Sequence, residues 1–468
     1  MEISQKIGSS SEDEPTECNV LLASSEHGVS SVKHPIVPDR ETNLGDIPED
    51  RFYGVYFIFL FLGMASLLPW NFFITAKSYF QFKLRNTSIP ASEFNDPDEE
   101  TNLQILFESY LATSSTITNL TCVFLTAIFV RKIPLKVRMI ASLCLVICLF
   151  GLTSVLVKLD SNNWQKTFFI VTIASAAVIN GGTAILTGSI FGFSCRFPRS
   201  YTQACMMGQA IGGTFAAVAG ILALAGGSSV IDSAFGYFLT ATVISVVSLL
   251  AYILLYYLPF SKYHMTEVVS GVKSINNDES HTVPQGHCEF YGEIIKQIWK
   301  QGVCVCIVFT ITLACFPAVS ASIRSVTYVK GDSWTDKYFT PVICFLLFNL
   351  GDWVGRTATS WISLPSDRHS YIMLLLCCLR VAFIPLLMFC NAEPRSHLNV
   401  VFDHDAWPIT FILLLGLTNG YFGTRVMIYA PQRVTWGQAE AAGVIMAFML
   451  TLGLALGSGL SFLIVKLL

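Results

Sequence analysis

Apolar runs of about 20 residues recur along this chain, and each is long enough to cross ~30 Å of hydrocarbon as an α-helix. Eleven such runs fall at about 52–76, 106–130, 139–157, 167–192, 200–226, 233–258, 302–322, 339–362, 370–390, 407–430 and 438–465. The third is short, and little more than Arg196-Phe197-Pro198-Arg199 parts the fourth from the fifth. Two polar stretches interrupt the series, residues 1–51 and 259–301. The pattern predicts an all-α polytopic membrane protein with eleven transmembrane helices. Its organisation is a polar tail (1–51), six helices (52–258), a linker with some helix near Glu293–Lys300 (259–301), and five helices (302–468).

Composition agrees: 53% of residues are hydrophobic and only 13% charged, which excludes an ordinary soluble globule. The first 50 residues hold eleven Asp and Glu against three Lys and Arg and lack an apolar signal core, so the tail reads as disordered and uncleaved. Basic residues concentrate in Arg131-Lys132-Ile133-Pro134-Leu135-Lys136-Val137-Arg138, between the second and third spans. Placing that cluster in the cytosol puts the N-terminus there too and the C-terminus on the lumenal or extracellular side. The fourteen cysteines lie mostly within spans and behave as small hydrophobes rather than a disulfide framework. A 6+5 division resembles a major-facilitator-type fold lacking its last span, in which substrate binds near the midplane and the halves rock for alternating access.

Charges buried in the spans are the sharpest chemical signal. In Phe348-Asn349-Leu350-Gly351-Asp352-Trp353-Val354-Gly355-Arg356, a carboxylate and a guanidinium share one helix face at i,i+4. Charges at that depth are costly and face a water-filled path or each other. Asp352 and Arg356 therefore read as a polar substrate site, with a salt bridge locking neighbouring spans as the other reading; Arg380, in the ninth span, is a candidate partner for Asp352. In the first span Leu67-Leu68-Pro69-Trp70-Asn71 joins a backbone-freeing proline to a stacking ring and an amide, as a cavity-lining helix would. Asn180, Thr183 and Thr187 form a narrow polar stripe that serves a pore or merely bonds to its own helix. Gln209 is costly to bury and needs a partner.

Other features carry a bland reading beside the functional one. Glu440 and Glu108 open spans and are candidate proton acceptors or simply interfacial charges. Asp403-His404-Asp405 suggests a pH or metal cluster less than a polar surface loop. No span holds a His-Glu-x-x-His helix or a phosphate-cradling glycine loop, which argues against an enzyme, a metal site or any cofactor. Gly188/Gly192, Gly208/Gly212, Gly351/Gly355 and Gly453/Gly457 mark close helix packing. Asn86-Thr87-Ser88 is a glycosylation sequon in a lumenal loop, whereas Asn119-Leu120-Thr121 falls within a span. Glu17-Cys18-Asn19-Val20-Leu21-Leu22 matches an acidic dileucine signal, read by clathrin-adaptor complexes.

Taken together, these residues resemble the equilibrative nucleoside transporter family over nearly the whole chain after the tail. The resemblance rests on Leu67-Leu68-Pro69-Trp70-Asn71, Tyr201-Thr202-Gln203-Ala204 with Gly208-Gln209, and Phe348-Asn349-x-x-Asp352-x-x-Gly355-Arg356. It continues through Arg380-x-x-Phe383-x-Pro385, Phe402-Asp403-His404-Asp405-Ala406-Trp407, Asn419-Gly420-Tyr421 and Ala439-Glu440-Ala441-Ala442-Gly443. It implies transport of purine and pyrimidine nucleosides, with some nucleobases and no nucleic acid as partner. By position Asp352 and Arg356 would hold the ribose hydroxyls. Leu67, Trp70, Asn71 and Asn349 would line the site, and Phe316 and Phe345 would contact the base. Thr187 stands where members often carry Gln. Ile74 stands where inhibitor-sensitive members carry Met, which implies weak inhibition by such vasodilator-type compounds. The dileucine tail is most similar to the family's lysosomal and late endosomal branch, where export of nucleosides would be proton-linked. Alternatives are a plasma-membrane facilitator without proton coupling, a transporter of another polar metabolite, and a ligand-sensing receptor.

Overall fold

The computed structural model describes residues 48–87, 101–227, 229–265, 287–393, 395 and 399–468. The dileucine residues Glu17, Leu21 and Leu22 and most of the linker lie outside the described residues. The described chain is helical throughout, with one isolated β-bridge between Ile323 and Ala392. Ten of its helices are long and apolar enough to cross a membrane. The first half contributes α1 (Gly54–Thr75), the short α2 (Lys77–Lys83), α3 (Asn102–Phe129), α4 (Leu135–Lys158), α5 (Gln165–Ser194), α6 (Arg199–Gly226) and α7 (Val230–Leu255). The second half contributes α8 (His287–Cys315), α9 (Leu347–Ala358), α10 (Ser370–Leu379), α11 (Ala406–Tyr429) and α12 (Ala439–Leu467).

Local chemistry sets the ends of these helices. Asp50 accepts from the Val55 and Tyr56 amides at 2.9 and 3.0 Å, satisfying donors that a helix start leaves free. Thr101 and Gln104 form a reciprocal capping box at the start of α3. α1 passes through Pro69 without a break. Two expectations shift. α8 begins at His287, well inside the expected linker, because its polar first turns continue the same helix. The eighth span is not a plain α-helix: a π turn at Ser333–Tyr338 leads up to it, and a second at Pro341–Leu346 precedes α9. Pro341 has no N–H to donate to the preceding turn, so the wider register lets the helix continue. The ninth span tightens into a 3-10 turn at Arg380–Ala382 before Pro385.

Glycines set the closest helix contacts. In the first half α1 packs on α6, and in the second α9 packs on α11 and α8 on α12. A Cβ on Gly355 would overlap the Leu417 carbonyl, and one on Gly420 would overlap the Asp352 carbonyl. Only hydrogen side chains let the two backbones approach so closely.

The apolar core is shared unequally between the halves. At the end bearing the Arg131–Arg138 loop, here the basic end, one cluster joins both halves: Phe59, Phe193 and Tyr252 with Val308, Phe309, Val426 and Met446. At the opposite end the core parts in two. Phe72, Phe80, Phe150 and Phe238 form a cluster of the first half alone. Ala314, Phe348, Leu387 and Phe411 form one of the second half alone. The halves are thus fused at the basic end, with α12 against α3 and α5 and α6 against α9 and α11.

Candidate functional site

The site is built where α9 meets α6 and α11. Asp352 and Arg356 sit one turn apart on α9, each only 4% exposed, and pair with each other through Nε to Oδ2 at 2.8 Å. The pair does not link the eighth and ninth spans, and Arg380 does not contact Asp352. Asn419 Nδ2 from α11 donates to Asp352 Oδ1 at 2.7 Å. Arg356 reaches across to the first half, donating from Nη1 to the Met206 carbonyl at 2.7 Å and to Gln209 Oε1 at 3.5 Å. Gln209 finds the partner its burial demands, donating to Ser66 Oγ on α1 at 3.1 Å. Nearer the basic end, Gln203 Nε2 donates to Ser360 Oγ at 2.6 Å and to the Arg356 carbonyl at 3.2 Å. A guanidinium on one half therefore holds backbone on the other, beside a carboxylate that still has acceptor capacity. A carboxylate offers about four acceptor positions, and two are filled here.

One turn toward the opposite end lie the residues suited to an uncharged, flat ligand. Asn349 donates to the Phe345 carbonyl at 2.8 Å. A Cβ on Gly213 would overlap Asn349 Oδ1 and lie 3.6 Å from Asn71 Nδ2, so glycine there lets amides of opposite halves approach over α6. Asn71 Nδ2 is buried without a hydrogen-bond partner among the described residues. Leu67 and Trp70, the first one turn before Asn71 and the second beside it, are partly buried. Phe316 stacks on Phe348 at 4.0 Å and meets Phe345 edge-on at 5.7 Å, forming an aromatic wall beside Asn349.

The remaining candidates lie elsewhere. Thr187 donates to the Thr183 carbonyl at 2.7 Å and Thr183 to the Asn180 carbonyl at 3.1 Å, while Asn180 is pinned to Ser115. That stripe bonds within α5 and to α3, and no hydrogen bond among the described residues joins it to Asp352 or Arg356. Glu108 is half-exposed and pairs with Lys77 at 2.6 Å at the opposite end. Glu440, at the basic end, is held by both Arg138 and Arg196 and so ties α12 to α4 and to the turn before α6. Asn86 is exposed just beyond α2. His404 accepts from the Ala406 amide next to it, whereas Asp405 accepts from the Val326 amide and Ser325 Oγ, about 80 residues away, and so ties two loops together. Sequence reasoning missed Asn419 and Thr312 as parts of the site. Asn419 is a lone amide in an apolar run and carried a signal, but Thr312 resembles any helix-bound threonine.

Two joined helical halves, with a buried polar cluster between them, define a fold of the major-facilitator type. The human organic anion transporter MFSD10 shares this fold at a TM-score of 0.52 over 88% of this chain and 92% of its own, with 11% identity. Residues 173–466 match the family described as nucleoside transporter. Equilibrative nucleoside transporter 3 of Rattus norvegicus is 41% identical over 88% of this chain and 88% of its own length. Equilibrative nucleoside transporter 1 of Homo sapiens is 36% identical over 89% of this chain and 98% of its own. The chain belongs to the equilibrative nucleoside transporter family.

Proposed function

We propose that this protein moves purine and pyrimidine nucleosides, and some nucleobases, across the lysosomal and late endosomal membrane by alternating access, with proton linkage. The observation that carries the nucleoside reading is the Asp352–Arg356 pair on α9, with Arg356 bonded across to the first half, beside the Asn71, Asn349 and Phe316–Phe345 surface. A carboxylate accepts from ribose hydroxyls, a guanidinium donates to them, and an aromatic wall takes a base. The basic end faces the cytosol in this reading, by the excess of Lys and Arg there. The halves, fused at that end and parted at the other, then correspond to a lumen-facing state. The compartment rests on the Glu17-Leu21-Leu22 signal, read by clathrin adaptors; Asn86 is a glycan acceptor in the same topology. Glu440 and Glu108 are the candidate proton-responsive groups.

The test is uptake of radiolabelled adenosine and uridine after Leu21→Ala/Leu22→Ala redirects the full chain to the cell surface. Saturable uptake that rises in acid is expected. Saturable, pH-flat uptake would remove the proton linkage, and no uptake by folded, surface-resident protein would remove the nucleoside reading. An unchanged location would remove the sorting role.

A further inference from the structure

Arg380 is 2% exposed and touches no carboxylate among the described residues, which is costly for a guanidinium inside a membrane. All its described partners are neutral. Nη1 donates to the Val308 carbonyl at 2.7 Å, Nη2 to Thr312 Oγ1 at 2.8 Å and the Leu415 carbonyl at 3.2 Å, and Nε to Thr418 Oγ1 at 3.1 Å. A guanidinium can only donate, so Thr312 Oγ1 accepts from Arg380 and has one proton left to give. Two acceptors lie within reach of that proton, the Val308 carbonyl at 2.8 Å and Asn419 Oδ1 at 2.8 Å. A membrane threonine ordinarily gives it to its own helix, four residues back. Here Arg380 already satisfies the Val308 carbonyl, so the proton goes to Asn419 Oδ1. That fixes the amide with Nδ2 toward Asp352 Oδ1, 2.7 Å away.

We infer that Arg380 is a positioning residue for substrate recognition, acting through Thr312 and Asn419 to set how Asp352 presents its carboxylate. Every donor in the relay points from Arg380 toward Asp352. Without Arg380 the threonine returns to Val308, Asn419 Oδ1 loses its donor, and the amide is held by Asp352 alone, so the carboxylate loses its fixed neighbour. The inference rests on the reading of Asp352 as the ribose-hydroxyl acceptor. It explains why a second buried arginine stands in this half without a counter-ion in contact among the described residues.

The test uses the purified full chain in proteoliposomes, with Thr312→Val, Thr312→Ser, Arg380→Met and Arg380→Lys beside the wild type. Uridine uptake gives KM and maximal rate per inserted transporter. Competition by 2′,3′-dideoxyuridine, which lacks both hydroxyls, reports binding that does not involve Asp352. Thr312→Val is expected to raise the uridine KM about 10-fold, the loss of one hydrogen bond supporting a charged group, with maximal rate within about 2-fold. Inhibition by the dideoxy compound should stay unchanged, and Thr312→Ser should restore the wild-type KM. Arg380→Met should repeat the Thr312→Val pattern, with Arg380→Lys intermediate. If Arg380→Met does not fold, the Thr312 pair decides. Equal shifts for both compounds, or a fall in maximal rate alone, would overturn the relay while leaving nucleoside transport standing. Absence of saturable uridine flux by the wild type would overturn the functional reading and the relay with it.

Discussion

Asp352 shows how one side chain carries both stability and recognition. Breaking a buried pair by removing one partner costs about 3–5 kcal/mol, because the other charge is stranded. Asp352→Ala would strand Arg356 and blur the two roles. Asp352→Asn keeps the shape and an acceptor for Arg356 but removes the charge a hydroxyl would meet. We expect it to lower uridine flux per folded transporter by about 10- to 100-fold, the value of one to two charge-assisted hydrogen bonds. Flux within about 2-fold of wild type would remove Asp352 from the site. The pair was legible in the sequence because charges at bilayer depth are rare and i,i+4 spacing is local. Its partners were not. Asn419 and Met206 lie 67 and 150 residues away from Asp352 and Arg356, and only the packing of α9 against α11 and α6 brings them in. The same limit hid the fate of Arg380: its depth was plain, but its bonding to carbonyls depends on which helices surround it.

Among the elements, α9 and α11 are held together by absent side chains. Gly420→Ala would place a methyl group on the Asp352 carbonyl, and neither backbone can yield without moving the site. We expect a lower melting temperature and a raised uridine KM together, since spreading these helices also stretches Asn419 from Asp352. Gly236→Ala is the control: it lies within α7 with nothing within 4 Å of the added carbon, and alanine there should stabilise by about 0.5–1 kcal/mol. Equal losses in the two variants, read by thermal unfolding, would refute the packing argument. The loop entering the eighth span makes a different prediction. Asp332 accepts from the Trp334 and Thr335 amides, and Asp336 from the Gly331 amide. These hydrogen bonds hold both carboxyls below the ordinary aspartate value, the Thr335 amide foremost for Asp332 and the Gly331 amide for Asp336. A depressed pKa contributes stability above the unfolded value and loses it as pH falls through the folded one. Hydrogen exchange of the Gly331 and Thr335 amides should therefore be the same at pH 7 and pH 5, after correction for intrinsic rates. The loop is thus expected not to sense mild acid. The glycine spacings announced close packing from sequence, whereas the π turns did not, since they depend on how Pro341 is accommodated.

At the scale of the molecule, the question is what lets the fused end open. Apolar contact holds the halves there, and among the described residues the ion pairs that span them are those of Glu440 on α12 with Arg138 and Arg196. Two guanidiniums face one carboxylate, and Arg138 is nearly inaccessible, its side chain 3% exposed. Neutralising Glu440 leaves two cations against each other, one of them buried. Stranding a buried charge costs about 3–5 kcal/mol, comparable with the few kcal/mol that separate alternating conformations. Removing the charge of Glu440 would thus weaken the closure of the basic end. Glu108 has no such leverage: it pairs with Lys77 in solvent, where a bridge is worth about 0–1 kcal/mol, and it touches only the first half. Glu440→Gln imitates the protonated acid at every pH. If Glu440 is the proton-responsive group, the variant should show uptake that no longer rises in acid, set at a level unlike that of the wild type at neutral pH. Glu108→Gln should keep the wild-type profile. Uptake measured from pH 5 to pH 8 in both variants separates the two. A Glu440→Gln profile parallel to wild type would make the triad a structural tie, and a flattened Glu108→Gln profile would move the proton response to the opposite end.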